Sequence, residues 1–261
     1  MKLFAPSYYK DFTCIADRCQ HSCCVGWEID IDPDTLVRYE TMTHPYGHDV
    51  RNSISYDGDP HFTLTADDRC PHLAENGLCK RILHAGESSL CEICREHPRF
   101  YHETSRGLEV GLGMSCEEAC RIILSSPDYR VSEISRVPDV MLPEVIALLS
   151  RLYHLISDYS VPYDSRRIAL LSLFGSEVAL PSEDEWKRIL SELEYLDEEN
   201  KAIYTAISLP SVTPPHVQPL LERALAYFLL RYLPSADDIS ELRVALALSL
   251  MLERQLAALL V

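Results

Sequence analysis

Ten cysteines lie between Cys14 and Cys120, and none follows in a chain of 261 residues. Thiols packed this densely are either bonded to one another or hold a metal, and either way they dictate how the backbone turns. They come in groups: Cys14-x4-Cys19-x3-Cys23-Cys24, Cys70-x8-Cys79, Cys91-x2-Cys94 and Cys116-x3-Cys120. Gaps of two to four residues let two sulfurs converge on one ion while the chain reverses. Thiolate is a soft ligand suited to zinc or to iron–sulfur. Eight or more thiols are enough for two four-ligand sites, or for one site plus structural or substrate-facing thiols. Cys116 opens a helix, where the dipole favours a thiolate. Cys120, one turn later, reads as a buried thiol, and Cys91 is left open.

Metal is preferred to disulfide because of the compartment the sequence suggests. The first ten residues lack the apolar segment of a signal peptide. No uncharged apolar run approaches the roughly 18 residues of a membrane span. A soluble, cytoplasmic protein is expected, and a reducing cytosol keeps thiols free for metal. A secreted, disulfide-stapled protein is the weakest reading, since an adjacent pair such as Cys23-Cys24 is awkward to bridge. Acidic residues outnumber basic ones by 40 to 24, for a net charge of −16. That disfavours nucleic-acid binding, which wants a basic face. It suits solubility, and it could draw a lysine-bearing partner.

The fold expected is mostly α. An irregular, Cys-rich metal-binding domain with few short strands spans 1–125, and an antiparallel helical bundle spans 126–261. In the first part, Asp32-Pro33 opens a helix running to about Met42. Ile54–Tyr56 and Phe62–Thr65 flank Asp57-Gly58-Asp59-Pro60 as a hairpin. Ser115-Cys116-Glu117-Glu118 fits a capping box before a helix through Leu124. So little apolar core is foreseen here that metal–thiolate bonds are expected to hold the segment together. A polar connection from about Ser125 to Pro138 marks the boundary. Beyond it, apolar stripes recur at helical spacing: Val145, Leu148, Leu149, Leu152 and Ile156; Ile168, Leu171 and Phe174; Trp186, Ile189, Leu190, Leu193 and Leu196; then Leu242, Ala245, Leu246, Leu252, Leu256 and Leu259. Leu220–Leu233 is apolar nearly all round and reads as the central helix.

Basic residues stand beside the cysteines: Arg18, Arg69, Lys80, Arg81, Arg95 and Arg99. A cluster carrying several thiolates is net negative, and guanidinium groups would offset it. Arg95 and Arg99, which follow Cys94 closely, are the strongest candidates. His21, His72 and His97 could ligate but read better as neighbours of the site.

The stretch Cys19-Gln20-His21-Ser22-Cys23-Cys24-Val25-Gly26-Trp27-Glu28-Ile29-Asp30-Ile31-Asp32 resembles the opening of the flagellin lysine-N-methylase (FliB-like) family, which is related to zinc- or iron-chelating cysteine-cluster proteins. The onward pattern is similar too: Cys70, Leu73, Cys79, Gly86-Glu87, Cys94-Arg95, Pro98-Arg99, Ser115-Cys116 and the apolar Tyr227–Tyr232 segment. The resemblance implies methyl transfer from S-adenosylmethionine to lysine side chains of flagellin or a similar protein, dependent on an iron–sulfur cluster of the 4Fe-4S type. Carried over by position, its metal ligands are sought among Cys14, Cys19, Cys23, Cys24, Cys70, Cys79, Cys94 and Cys116. The chain has no G-x-G-x-x-G loop for a nucleotide-like cofactor. Nor does it have the Cys-x3-Cys-x2-Cys spacing of radical enzymes, because Cys24 follows Cys23 at once. The rival reading is a non-enzymatic zinc- or iron-chelating interaction module. Tyr8, Tyr9 and Glu28 flank the cysteine groups, but none is singled out as the proton acceptor.

Overall fold

All ten cysteines fall in one of the two compact units into which the chain divides. The computed structural model describes residues 2–104, 107–127, 130–135, 143–174, 178–195, 198–210, 213–236 and 238–260. The cysteine unit comprises Phe12–Phe100 and Leu112–Arg121; the helical unit comprises Met1–Asp11, Tyr101–Gly111 and Ile122–Val261. The chain therefore passes between units at 11/12, 100/101, 111/112 and 121/122. A cut at 125/126 lies just beyond the last passage, while residues 1–11 and 101–111 group with the helices. Much of the connection expected over 125–138 lies outside the described residues.

In the cysteine unit, short elements alternate with turns. Strand β2 (Ile29–Asp30) pairs antiparallel with β4 (His61–Phe62), which also pairs with β3 (Ile54–Ser55). The hairpin foreseen around Asp57–Pro60 is this β3–β4 pair. Helix α1 (Pro33–Glu40) starts as its sequence dictates, with the Asp32 carboxylate accepting from the Thr35 N–H at 2.9 Å. The second oxygen of Asp32 accepts from the Glu92 N–H at 2.8 Å, so one side chain serves two helix starts: α1 and α4 (Glu92–Glu96). Helices α2 (Gly47–Asn52) and α3 (Lys80–Ala85) complete the unit with α5 (Glu117–Ser125), whose last turn runs beyond it. Glu118, expected in a capping box, makes a two-pronged ion pair with Arg121 at 2.6 and 2.7 Å. The unit does have an apolar core, formed by Ile29, Ile31, Tyr39, Val50, Phe62 and Leu73. Cys70 and Cys91 belong to that core, and Cys24 and Cys94 pack against it.

The helical unit carries a four-stranded sheet in the order β5-β6-β1-β7. Strand β1 (Leu3–Pro6) lies parallel to β6 (Gly107–Leu112) and antiparallel to β7 (Val131–Ser135). Strand β5 (Arg99–Thr104) forms the far edge. At the first residue of β6 a Cβ on Gly107 would lie 2.3 Å from the Lys2 carbonyl oxygen, and its φ is +141°. Only glycine permits that approach without strain.

The helices are α6 (Pro143–Ile156), α7 (Tyr163–Ser172), α8 (Glu183–Glu192), α9 (Glu198–Ala206), α10 (Gln218–Tyr232) and α11 (Ile239–Leu259). The chain is thus mostly α, as its periodicity predicts. Helix α10 is buried on nearly every side, through Leu221, Ala224, Leu225, Ala226, Tyr227, Leu229 and Leu230. Helix α8 starts with the capping box of Ser182 and Glu185. Two stripes are out of phase with expectation. In α7 the inward residues are Tyr163, Arg166 and Leu170, while Ile168 is 63% exposed. In α8 Trp186 and Leu190 are buried, but Ile189 and Leu193 are exposed. Leu196 and the side chain of Val145 lie outside the described residues. Helix α11 turns Leu242, Leu246, Leu250 and Met251 inward, but also Glu253, which is fully buried and accepts from the Tyr163 hydroxyl at 3.0 Å. Among the described residues no helix is long and apolar enough to cross a membrane.

Candidate metal centre

The eight predicted ligands fall into two sets within the cysteine unit. The first contains Cys14, Cys19, Cys23 and Cys116. Its four thiols act on one another electrostatically: Cys19 is pushed up by burial, then by Cys14, Glu117 and Cys116. Cys23 is lowered by a hydrogen bond from Cys24 that outweighs burial and the opposing effect of Cys14, Cys116 and Cys19. Cys14 and Cys23 are exposed, and Cys19 and Cys116 are half-buried. Residues nearly a hundred positions apart meet here because of Glu117. One of its carboxylate oxygens accepts from the N–H of Gln20 at 2.8 Å and of His21 at 3.1 Å. That clamp ties the start of α5, with Cys116, to the Cys19–Cys23 loop. Behind the loop, the Trp27 indole N–H donates to the Cys23 carbonyl, and its ring centroid lies 5.8 Å from that of His97. Cys120 is half-buried, its thiol pushed up by burial and by Cys116.

The second set gathers at the core. The N–H of Cys70 donates to the Cys24 carbonyl at 2.8 Å, so these two residues are backbone neighbours. Leu73 and Cys79 form an isolated β-bridge that folds the Cys70–Cys79 segment back on itself. The Cys91 and Cys94 sulfurs lie 3.4 Å apart. Against them, within the same core, sits Arg81, only 2% exposed. It donates to the Cys94 sulfur at 3.2 Å, to the Cys91 sulfur at 3.6 Å and to the Tyr39 hydroxyl at 2.7 Å, and its guanidinium covers the Phe62 ring at 4.6 Å. Its Nε has no hydrogen-bond partner. Burial opposes the charge of Arg81, but Cys94, Tyr39 and Cys91 outweigh it, and its pKa is raised. In the Cys91–Cys94 pair, the shared hydrogen bond lowers Cys91 and raises Cys94. Burial pushes the Cys70 thiol up to about 11.

Arg95 and Arg99, the basic residues favoured by proximity to Cys94, point elsewhere. Arg95 pairs with Glu96 at 3.3 Å, and Arg99 lies over the Phe12 ring at 5.5 Å. Arg81, another of the basic residues beside the cysteines, is the one whose guanidinium meets the sulfurs, placed there by packing rather than by spacing. Cys91, left open in the sequence, stands with Cys94, the partner that its C-x2-C spacing indicates. His72 is not poised to ligate. Its two ring nitrogens lie 2.8 Å from the Tyr46 hydroxyl and 2.9 Å from the Ser53 hydroxyl, and burial, then Arg81 and Lys80, lower its pKa to about 3.

None of the ten cysteines is in a disulfide. Among the described residues, no three Cys, His, Asp or Glu side chains already stand as ligands about one point. The donor chemistry nevertheless fits a sulfur-bound metal: both sets are thiol-rich, and no disulfide consumes them. In the helical unit, adjoining grooves along α6 of about 480 and 550 Å³ share Ser150, His154 and Asp158.

Comparison with known proteins gives the following. The chain is 28% identical over 131 residues to proteins named lysine-N-methylase from Salmonella choleraesuis (strain SC-B67) and Salmonella typhimurium (strain LT2). Each match covers 47% of this chain and 32% of the relative, so it spans about a third of the length of those proteins. It is 27% identical over 131 residues to the flagellar biosynthetic protein FliU of Salmonella muenchen, covering 47% of this chain and 77% of that protein. No family model matches, and no solved structure matches.

Proposed function

We propose that this chain is an iron–sulfur-dependent protein lysine N-methyltransferase that uses S-adenosylmethionine and acts on flagellin or a similar lysine-bearing protein. The similarity to lysine-N-methylases supports the reaction class. The observation that carries the site is the Glu117 clamp, which brings Cys116 to the loop of Cys19 and Cys23 at the protein surface. Cys14, Cys19, Cys23 and Cys116 would hold the cluster. When bound, the cluster supplies the chemistry that activates the methyl donor. The chain's own residues place the substrate. Glu117 lies close enough to act on the Cys19 thiol, so an incoming lysine ammonium meets negative charge beside the cluster ligands. The net charge of −16 steers such a cation from a distance. Only the neutral amine attacks a methyl group, so a base must accept the ammonium proton.

The test is anaerobic reconstitution with iron and sulfide, then incubation with flagellin and methyl-labelled S-adenosylmethionine. Label on lysine is expected; its absence from a fully loaded protein would reject the enzyme. The matched stretch covers only 32% of the methylases. The second reading, a zinc- or iron-chelating interaction module, predicts stoichiometric metal without affinity for the methyl donor.

A further inference from the structure

The Cys91 and Cys94 sulfurs lie 3.4 Å apart, one thiol donating to the other. A sulfur–sulfur bond needs them about 1.4 Å closer, a shift that side-chain torsion can supply. The C-x2-C spacing fits, since the two residues stand one turn apart at α4, where the Arg95 N–H donates to the Cys91 carbonyl at 3.0 Å. The thiols differ in access: Cys91 is fully buried, and Cys94 is half-buried. One guanidinium touches both sulfurs. Arg81 donates to Cys94 at 3.2 Å and to Cys91 at 3.6 Å while being itself a core residue. Its other contacts are the Tyr39 hydroxyl, which burial holds protonated, and the Phe62 ring. No carboxylate of the described residues bonds to it, and its Nε has no hydrogen-bond partner. The sulfur pair is therefore the group touching Arg81 that can carry negative charge. A disulfide has no proton to lose and carries none, so oxidation would strand a buried cation, which is strongly unfavourable.

We propose that Cys91 and Cys94 are a redox-active dithiol that closes to a disulfide by exchange with a small-molecule disulfide such as oxidised glutathione, and that Arg81 biases the pair toward its reduced form. The half-buried Cys94 thiol gives up its proton and attacks one sulfur of the small disulfide. A mixed disulfide forms, and the expelled thiolate takes up a proton. Cys91, in contact with Cys94, then gives up its proton and attacks the Cys94 sulfur. The Cys91–Cys94 bond forms, and the second small thiolate leaves and is protonated. The protein pair loses two electrons and the small disulfide gains them. Because Arg81 stabilises the dithiol and not the disulfide, the bond reopens readily in reduced glutathione, unlike a structural disulfide. The pair is separate from the surface set of Cys14, Cys19, Cys23 and Cys116, and the proposal does not depend on methyl transfer.

The full chain, purified anaerobically with whatever metal it carries, is equilibrated at stepped ratios of reduced to oxidised glutathione, quenched by alkylation and mapped by peptide mass. A Cys91–Cys94 disulfide should appear as oxidised glutathione rises and vanish in excess reduced glutathione, with the metal content unchanged. Cys91→Ser should trap one glutathione on Cys94, whereas Cys94→Ser should leave Cys91 unmodified. Arg81→Met should shift the ratio at half-oxidation toward the disulfide by about tenfold or more, the scale of a hydrogen bond to a charged group. A role for Arg81 in packing alone would leave that ratio where it is. If Arg81→Met does not fold, the wild-type ratio and the Cys91→Ser trap decide. The proposal is overturned by absence of the disulfide at every ratio, by a disulfide that persists in excess reduced glutathione, or by glutathione trapped on Cys91 instead of Cys94. It is equally overturned by loss of metal as the pair closes, by thiols that react only after a chelator is added, or by an Arg81→Met ratio that stays put or moves toward the dithiol.

Discussion

Replacing Glu117 by alanine should loosen the surface thiol set without unfolding the chain. The carboxylate oxygen accepts two backbone N–H groups, at 2.8 and 3.1 Å, from residues 96 and 97 positions away. Hydrogen bonds to a charged acceptor contribute about 1.5–3 kcal/mol each when well shielded. Here the clamp faces solvent, and the freed N–H groups return to water, so about 1–2 kcal/mol for the pair is the appropriate scale. If the loop of Cys19 and Cys23 must stand against Cys116 for one cluster to be held, that loss appears directly in metal affinity. A change of about 1.4 kcal/mol is tenfold. Iron bound at limiting iron and sulfide, in anaerobic titrations of wild type and Glu117→Ala, measures it. Glu117→Gln keeps an acceptor oxygen but not its charge and should fall between the two. Unchanged iron affinity in the alanine variant would refute the clamp. So would loss of iron accompanied by loss of helical circular dichroism, because the effect would then be on the whole fold.

Asp32→Ala should cost about 1–3 kcal/mol in denaturant unfolding, because two helix starts lose their acceptor. Although burial opposes it, hydrogen bonding from Glu92 and Thr35 holds the Asp32 carboxyl below the usual range. Its contribution is therefore present above the unfolded-state pKa of about 3.9 and disappears as pH falls through the lower folded value; a wild-type-to-variant gap that did not narrow in acid would contradict this. Glu253 shifts the other way, raised mainly by burial. Its stability term is complete below the unfolded-state pKa and shrinks as pH rises, so wild type should lose stability relative to Glu253→Gln as pH rises from 4 to 8. Thermal melts across that range would show the loss or its absence. Gly107→Ala should cost about 1–3 kcal/mol through strain and collision with the Lys2 carbonyl, read as a lower denaturant midpoint.

The cysteine spacings announce a thiol site because the chemistry is local: the thiols come a few residues apart, and the turn that joins them is short. The Asp32-Pro33 helix start is legible for the same reason. Which basic residue meets the thiols is not. Lys80-Arg81 follows Cys79 as an ordinary basic pair would, and only folding β4 and α1 over it turns Arg81 into a core residue. Phase fails similarly in α7. The sequence shows a helical period, but Arg166 turns inward to cap carbonyls of Ile156 and Val161 and to pair with Glu222, which rotates Ile168 out to water. A long polar side chain with several acceptors to satisfy can outbid an isoleucine for the inner face, and no periodicity count records that.

An interior strand of the helical unit's sheet comes from residues 3–6, and its parallel neighbour starts at Gly107. Dissection of this molecule is constrained accordingly. A fragment ending near residue 100 would lack Cys116 and its clamp, while one beginning at residue 12 would remove an interior strand from the other half. Ligating the ends elsewhere or splicing the cysteine-bearing stretch into a host would have to carry two separate pieces, 12–100 and 112–121, along with the strand pair that joins them.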